Sequence, residues 1–237
     1  MQLKNTSIIQ FLKKILGRPL QQSLTNYLKE FALENDEVTF LQVGSNDGKT
    51  GDPIYPFVTK RGWRGILVEP IPGIFQKLRQ NYRGFENQLL FENIAIGNES
   101  KIQTFFALSD SFQKKYPVHW ADQLGSLDRH VIVKHKHKFP DIEDYITEIR
   151  VPTMSINDLL HKHFNFLGHL DLLHIDAEGL DYQILKEFNF KMFLPHVIIY
   201  EHIHLTELNK QRLNWKLMKN GYALFWDSKD TYGVKKK

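Results

Sequence analysis

Short apolar runs alternate along the chain with stretches whose apolar residues recur every three or four positions. The runs are VTFLQV (38–43), GILVE (65–69), LLFENIAI (89–96), LDLLHI (170–175) and HVIIYE (196–201). Runs of this length, bounded by turn residues, predict buried strands. PGIFQKLRQNY after the second run and DYQILKEF after the fourth gather their apolar residues on one face, as crossover helices must. The repetition of strand and helix predicts an α/β fold with a mostly parallel sheet. Residues 1–35 read as amphipathic helix, IIQFLKKILG and then SLTNYLKEFALEN, broken near Gly17 and Pro19. This segment covers an edge or face of the domain; a membrane-surface role is the other reading. Between Ile102 and Val151 the rhythm breaks into aromatic and histidine-rich sequence too long for an ordinary connection. It predicts an inserted lid over a ligand crevice at the carboxyl ends of the strands, with a plain surface excursion as the alternative.

The first run ends in a loop, FLQVGSNDGKTGDPIYPF (40–57). Gly44 and Gly48 permit a tight turn and close approach of backbone to a ligand. A dinucleotide fingerprint needs glycine two residues after Gly44, where Asn46 stands, and no Gly-Lys-Ser/Thr follows to make a P-loop. Glu69 closes the second run, where a carboxylate can accept from ribose hydroxyls. Loop and acid together favour an adenosyl ligand without a pyrophosphate, a description that S-adenosylmethionine fits. HIDAEGLD puts Asp176 and Glu178 past the fourth strand, and YEHIHL puts Glu201, His202 and His204 at the end of the fifth. On an open sheet those neighbouring ends converge on one crevice.

Composition narrows the setting. A chain of 237 residues with 42% hydrophobic and 24% charged residues suits one large α/β domain. No apolar stretch approaches the roughly 20 residues of a membrane span, and the N-terminus lacks a secretory pattern, so a cytoplasmic protein is expected. The absence of cysteine removes thiolate nucleophiles, disulfides and cysteine-ligated zinc. The net charge of +4 lies partly in Lys235, Lys236 and Lys237, a weak argument for nucleic acid.

VGSNDG, GWRGILVEPIPGIFQKLRQNY, ENIAIGN, VPTMSINDLL, LDLLHIDAEGLDYQIL and PHVIIYEH, in this order and spacing, resemble the FkbM family of S-adenosylmethionine-dependent methyltransferases over about residues 36–235. The resemblance implies the class I methyltransferase (Rossmann-like) fold over 36–237, with an insertion at about 102–151. It implies a seven-stranded sheet with an antiparallel strand near its edge, YALFW (222–226) and TYGVKK (231–236) supplying the last hairpin. It also implies O-methylation of hydroxyls on sugars, glycans or secondary metabolites. Carried over by position, Gly44, Asn46, Asp47 and Gly48 surround the methionine half of the cofactor. Glu69 takes the ribose, Pro70 borders the adenine, Asn93 lies near the adenine amine, and Asp176 faces the methionine amine or the transfer centre. Gln42 and His174 depart from the pattern, which often has an acid and a lysine there.

Methyl transfer to a hydroxyl needs an in-line acceptor and a base. His202 is the first choice and His174 the second, with Asp176 and Glu178 as carboxylates that a crowded crevice raises toward neutrality. Glu201 and His202 alternate, so only one of them points into the crevice. Asp176, Glu178, Glu201 and a histidine also make a set suited to Mg²⁺, though no compact metal motif enforces it. Two other classes stay open: a cofactor-binding partner without catalysis, and an enzyme with an RNA or protein acceptor. For RNA, KHKHK (134–138) with Trp120 is the candidate surface. The acceptor's identity and a homo-oligomeric state are also left open.

Overall fold

The computed structural model describes residues 20, 21, 23–118, 120, 121 and 123–236; the helix expected over IIQFLKKILG lies outside them. Strands β1 (Leu20–Gln21), β2 (Thr39–Val43), β3 (Arg64–Val68), β4 (Leu89–Glu92), β9 (Leu172–Ile175), β10 (Val197–Glu201), β11 (Tyr222–Trp226) and β12 (Asp230–Lys235) form one sheet. Its order is β1-β11-β12-β10-β9-β2-β3-β4. The run β4-β3-β2-β9-β10 is parallel, and β12 lies antiparallel between β10 and β11. This is the expected doubly wound plan with its final hairpin. The two-residue β1 adds an eighth strand beside β11.

Helices α1 (Leu24–Glu34), α2 (Tyr55–Arg61) and α3 (Pro72–Asn81) belong to the first half of the chain. A short helix, α4 (Asp110–Lys115), lies in the insertion, and α5 (Ile156–Lys162), α6 (Asp181–Glu187) and α7 (Glu207–Lys219) follow it. Ser23 caps α1 by accepting from the Asn26 N–H at 3.4 Å. The core has two halves, one on each side of the sheet. Leu41, Val43, Leu173 and Ile175 belong to one, and Phe40, Leu172 and Ile199 to the other. Because helices cover both faces, β2, β9 and β10 are buried at every position, which is why they read as unbroken apolar runs. Among the described residues no helix is long and apolar enough to cross a membrane.

Two segments differ from expectation. LLFENIAI is not one strand: β4 stops at Glu92, and Ala95–Ile96 forms β5 in a second sheet. The Asn93 side chain donates to the carbonyls of Glu69 (2.8 Å) and Pro70 (3.1 Å), holding the chain at the point where it leaves the first sheet. The insertion is built mainly on two long strands, β6 (Lys101–Leu108) and β8 (Ile146–Met154), antiparallel throughout. With β5 and β7 (Gly125–Ser126) they complete the sheet β5-β8-β6-β7. Residues between β6 and β8 pack a small core of Phe112, Ala121, Leu124, Ile132 and Ile142.

Gly65 marks where β3 passes β2, since a Cβ there would lie 2.5 Å from both the ring and the carbonyl oxygen of Phe40. Gly65→Ala is therefore expected to cost about 1–3 kcal/mol and lower the thermal midpoint by several degrees. An unchanged midpoint contradicts this packing.

Candidate active site

The chain leaves β2 at Gly44, whose φ is +75°. A side chain there is impossible for a second reason, because its Cβ would stand 1.7 Å from the Asp176 carbonyl oxygen. The two strand ends are tied as well, with the Asp176 N–H donating to the Val43 carbonyl at 3.0 Å. The next turn is pinned to β3: the N–H groups of Gly44 and Ser45 donate to the Val68 carbonyl at 3.0 and 2.9 Å. Asn46, at φ +48°, then donates its N–H to Glu69 Oε2 at 3.0 Å. Glu69 Oε1 accepts from the Ile71 N–H at 2.8 Å, so this buried carboxylate bridges the glycine loop and the start of α3.

These elements wall a pocket at the carboxyl ends of the strands. Gly44, Asn46, Glu69 and Pro70 line one part of it. Ile71, Ile94, Ile96 and Phe105 add apolar surface, and Asp176 and Glu178 add carboxylates. Gln123 and Gly125 bring the insertion onto the same pocket. Glu69 suits ribose hydroxyls, the apolar side chains suit a purine, and Asp176 suits the cationic end of S-adenosylmethionine.

Several residues expected in the site serve it from behind. A Cβ at Gly48 would fall 2.3 Å from Leu78 and 2.6 Å from the Tyr82 ring, so this glycine admits α3 rather than a ligand. Asp47 folds its carboxylate onto its own turn, accepting from the N–H groups of Lys49 (2.9 Å) and Thr50 (2.7 Å). Asn93 holds the Glu69–Pro70 backbone and does not line the pocket. His174 alternates with the pocket-side residues of β9 and lies buried against Gln42, with Nδ1 3.1 Å from its Nε2. Burial pushes the His174 pKa down to about 4. The geometry thus corrects the choice of His174 as a base, because it does not reach the pocket.

The choice of His202 is corrected in the same way. At the end of β10 the Glu201 side chain turns into the crevice, leaving His202 on the other side with Nδ1 3.2 Å from Thr231 Oγ1. His204 joins the carboxylates instead: its Nε2 lies 3.4 Å from both Glu178 Oε2 and Glu201 Oε2. Lys134 Nζ donates to His204 Nδ1 at 2.8 Å. The sequence placed His204 at this strand end without favouring it over His202. Behind the cluster, Asp181 is fully buried and accepts from the N–H groups of Ala177 (3.3 Å) and Glu201 (3.0 Å), bracing both strand ends.

So many carboxyl groups in one crevice cannot all ionise freely. Burial pushes Glu69 up to about 7, against its two backbone hydrogen bonds and with the Asp176 charge adding to the rise. Burial and then Asp176 push Glu178 up to about 7. Asp230 reaches about 7 through burial and Asp227. Asp176 and Glu201 are raised for the same reasons, burial foremost. Lys134 and Lys229 oppose the effect at Glu178. His204 goes the other way, down to about 4, through burial and the neighbouring Lys134.

The family model described as the methyltransferase FkbM domain matches residues 42–223, which span the glycine loop, both carboxylate-bearing strand ends and the insertion. The chain belongs to the FkbM family of S-adenosylmethionine-dependent methyltransferases. No curated protein sequence matches it significantly. Among solved structures, the methyltransferase FkbM from Methylobacillus flagellatus KT aligns over 84% of this chain and 44% of its own, with 13% identity and a TM-score of 0.50. The chain thus spans less than half of that protein. The METTL16 methyltransferase domain aligns over 90% of this chain and 66% of its own at 9% identity and a TM-score of 0.48. An O-methyltransferase from Bacillus cereus, in complex with SAH, aligns over 97% and 90% at 12% identity and a TM-score of 0.43. At these identities the first of them speaks for the class I methyltransferase fold.

Two outcomes follow for this FkbM domain. Glu69→Gln is expected to weaken S-adenosylmethionine binding by about 1.5–3 kcal/mol, or about 10- to 150-fold, in a calorimetric titration; an unchanged affinity puts the ribose elsewhere. The second concerns pH. A carboxyl raised in the folded state keeps a proton that the unfolded chain has already released, so its stabilising share is lost as pH rises through the folded pKa. Glu69, Glu178 and Asp230 do this up to about pH 7, and Glu201, raised to about 9 by burial and its carboxylate neighbours, carries the loss beyond it. The depressed histidines act in the opposite sense, but between about pH 4 and 6.5. Unliganded protein should therefore lose stability to urea from about pH 6.5 to 8.5, with a shallower loss in Glu201→Gln. A rise in stability over that window contradicts the assignment.

Proposed function

We propose that the protein transfers the methyl group of S-adenosylmethionine to a hydroxyl oxygen of a small polyhydroxylated acceptor, a sugar, glycan or secondary metabolite. The observation that carries this reading is the set of raised carboxyl groups at the wall of the donor pocket. A hydroxyl must give up its proton as the methyl arrives, and a carboxyl poised near neutrality is matched to taking it. The sulfonium methyl is already activated, so the protein has to hold the oxygen in line and accept the proton. Asp176 and Glu178 both line the pocket and are placed for that role. Phe105, Gln123 and Gly125 add a wall from the insertion.

The surroundings support a small acceptor over RNA. A groove between α6 and α7 carries Lys186, Lys191, Arg212, Lys216 and Lys219 beside Trp215, as a nucleic-acid surface would. It has no described lining residue in common with the donor pocket. A polar pocket that does adjoin the donor pocket, through Ile96 and Leu180, is lined by Asn98, Gln103, Asp128 and Gln183, groups suited to hydroxyls.

The test is transfer of labelled methyl from S-adenosylmethionine to panels of sugars, glycans and hydroxylated metabolites, with RNA and protein alongside. Label in a methyl ether is expected, with Glu178→Gln lowering kcat by about 100- to 10,000-fold. Label found only in RNA or protein contradicts the proposal.

A further inference from the structure

Glu178, Glu201 and His204 bring three donor atoms together where Glu178 forms the wall of the donor pocket, all within 4.8 Å of one another. His204 Nε2 is 3.4 Å from Glu178 Oε2 and 3.4 Å from Glu201 Oε2. Tetrahedral bonds of about 2.0–2.1 Å set neighbouring ligand atoms about 3.3–3.4 Å apart, which is the spacing of both edges. A second observation points to a ligand. The Glu201 side chain is 8% exposed, and its Oε2, turned toward His204, is buried without a hydrogen bond. Such an oxygen is costly to bury unless a cation or a proton meets it.

We infer that these three side chains hold a divalent transition cation, zinc being the best match, at the wall of the donor pocket. Two carboxylates and an imidazole are zinc donors, and three protein ligands leave a fourth position open, as catalytic zinc sites do. The imidazole weighs against the magnesium expected for Asp176, Glu178, Glu201 and a histidine, since magnesium prefers oxygen ligands throughout. Resting on the methyl-transfer reading, the site divides the roles of the two pocket carboxylates. The cation polarises the acceptor hydroxyl, and Asp176, which is not a ligand, takes its proton. The oxygen's electron pair forms the bond to the methyl carbon as the carbon–sulfur bond breaks, leaving neutral S-adenosylhomocysteine.

Lys134 adds a feature peculiar to this site. An ammonium only donates, so its contact with Nδ1 keeps the His204 ring proton on Nε2. A cation on Nε2 moves that proton to Nδ1 and displaces the exposed Lys134 side chain. Ammonium and cation are therefore mutually exclusive.

Chelator-treated protein is titrated with zinc by calorimetry, with magnesium in parallel, and S-adenosylmethionine affinity is measured on every sample. One zinc site per chain is expected. Glu201→Gln and His204→Gln should weaken it by more than about tenfold, the lower effect of losing even an outer-shell partner, and Lys134→Met should tighten it. Zinc binding unchanged in both ligand variants is adventitious binding by the chain's other histidines and overturns the site, as does absence of zinc binding or a preference for magnesium. Intact S-adenosylmethionine binding without a zinc site overturns this inference alone, whereas failure of the wild type to bind S-adenosylmethionine overturns the methyl-transfer reading beneath it.

Discussion

The main chain of Asp176 passes through the space that a side chain at position 44 would fill. Glycine is demanded there twice, by that contact and by φ of +75°. The approach joins the ends of β2 and β9, and the hydrogen bond from Asp176 to the Val43 carbonyl fixes it. From this junction the loop reaches Asn46, whose N–H sets the Glu69 carboxylate, and the far side of the junction carries Asp176 and Glu178 into the same pocket. Glu69, Asp176 and Glu178 are thus held on one pocket by one backbone frame.

That frame concentrates negative charge at a cost. On top of burial, Asp176 raises Glu178, Asp181, Glu201 and Asp230, and Glu178, Asp181 and Asp230 raise Glu201 further. Lys134 and Lys229 offset only part of this at Glu178. A site strained in this direction favours a cationic tenant, and S-adenosylmethionine brings both a sulfonium and an ammonium. In the proposed reaction the sulfur becomes neutral on transfer, so such a field favours the donor over the product.

The parallel sheet was legible because burial on both faces leaves unbroken apolar runs, and the hairpin of β11 and β12 followed from the family resemblance. The second sheet was not. β6 and β8 are half-exposed, and their mixed pattern beside the aromatic insertion hid a period of two that Ile149, Val151 and Thr153 do carry. The break in LLFENIAI depends on Asn93 meeting backbone more than 20 residues away, which no local pattern reports. The turn read at Gly44 and Gly48 is there in their φ of +75° and +67°, but the close approach is to the Asp176 carbonyl at one and to Leu78 and Tyr82 at the other, and a glycine admitting such neighbours looks in sequence like one admitting a ligand. The alternation of Glu201 and His202 was visible, but which of the two faced the crevice was decided by the pleat of β10 against β9 and β12.

The central claim is that one pocket, framed by Gly44, Glu69 and Asp176, holds the adenosyl donor with its sulfur facing the carboxylates. A crystal structure of the protein with S-adenosylhomocysteine tests it most directly. The account predicts the ribose hydroxyls on Glu69, the purine among Ile71, Ile94 and Phe105, and the sulfur beside Asp176 and Glu178. A ligand whose ribose makes no contact with Glu69, or whose sulfur points away from that pair, contradicts it.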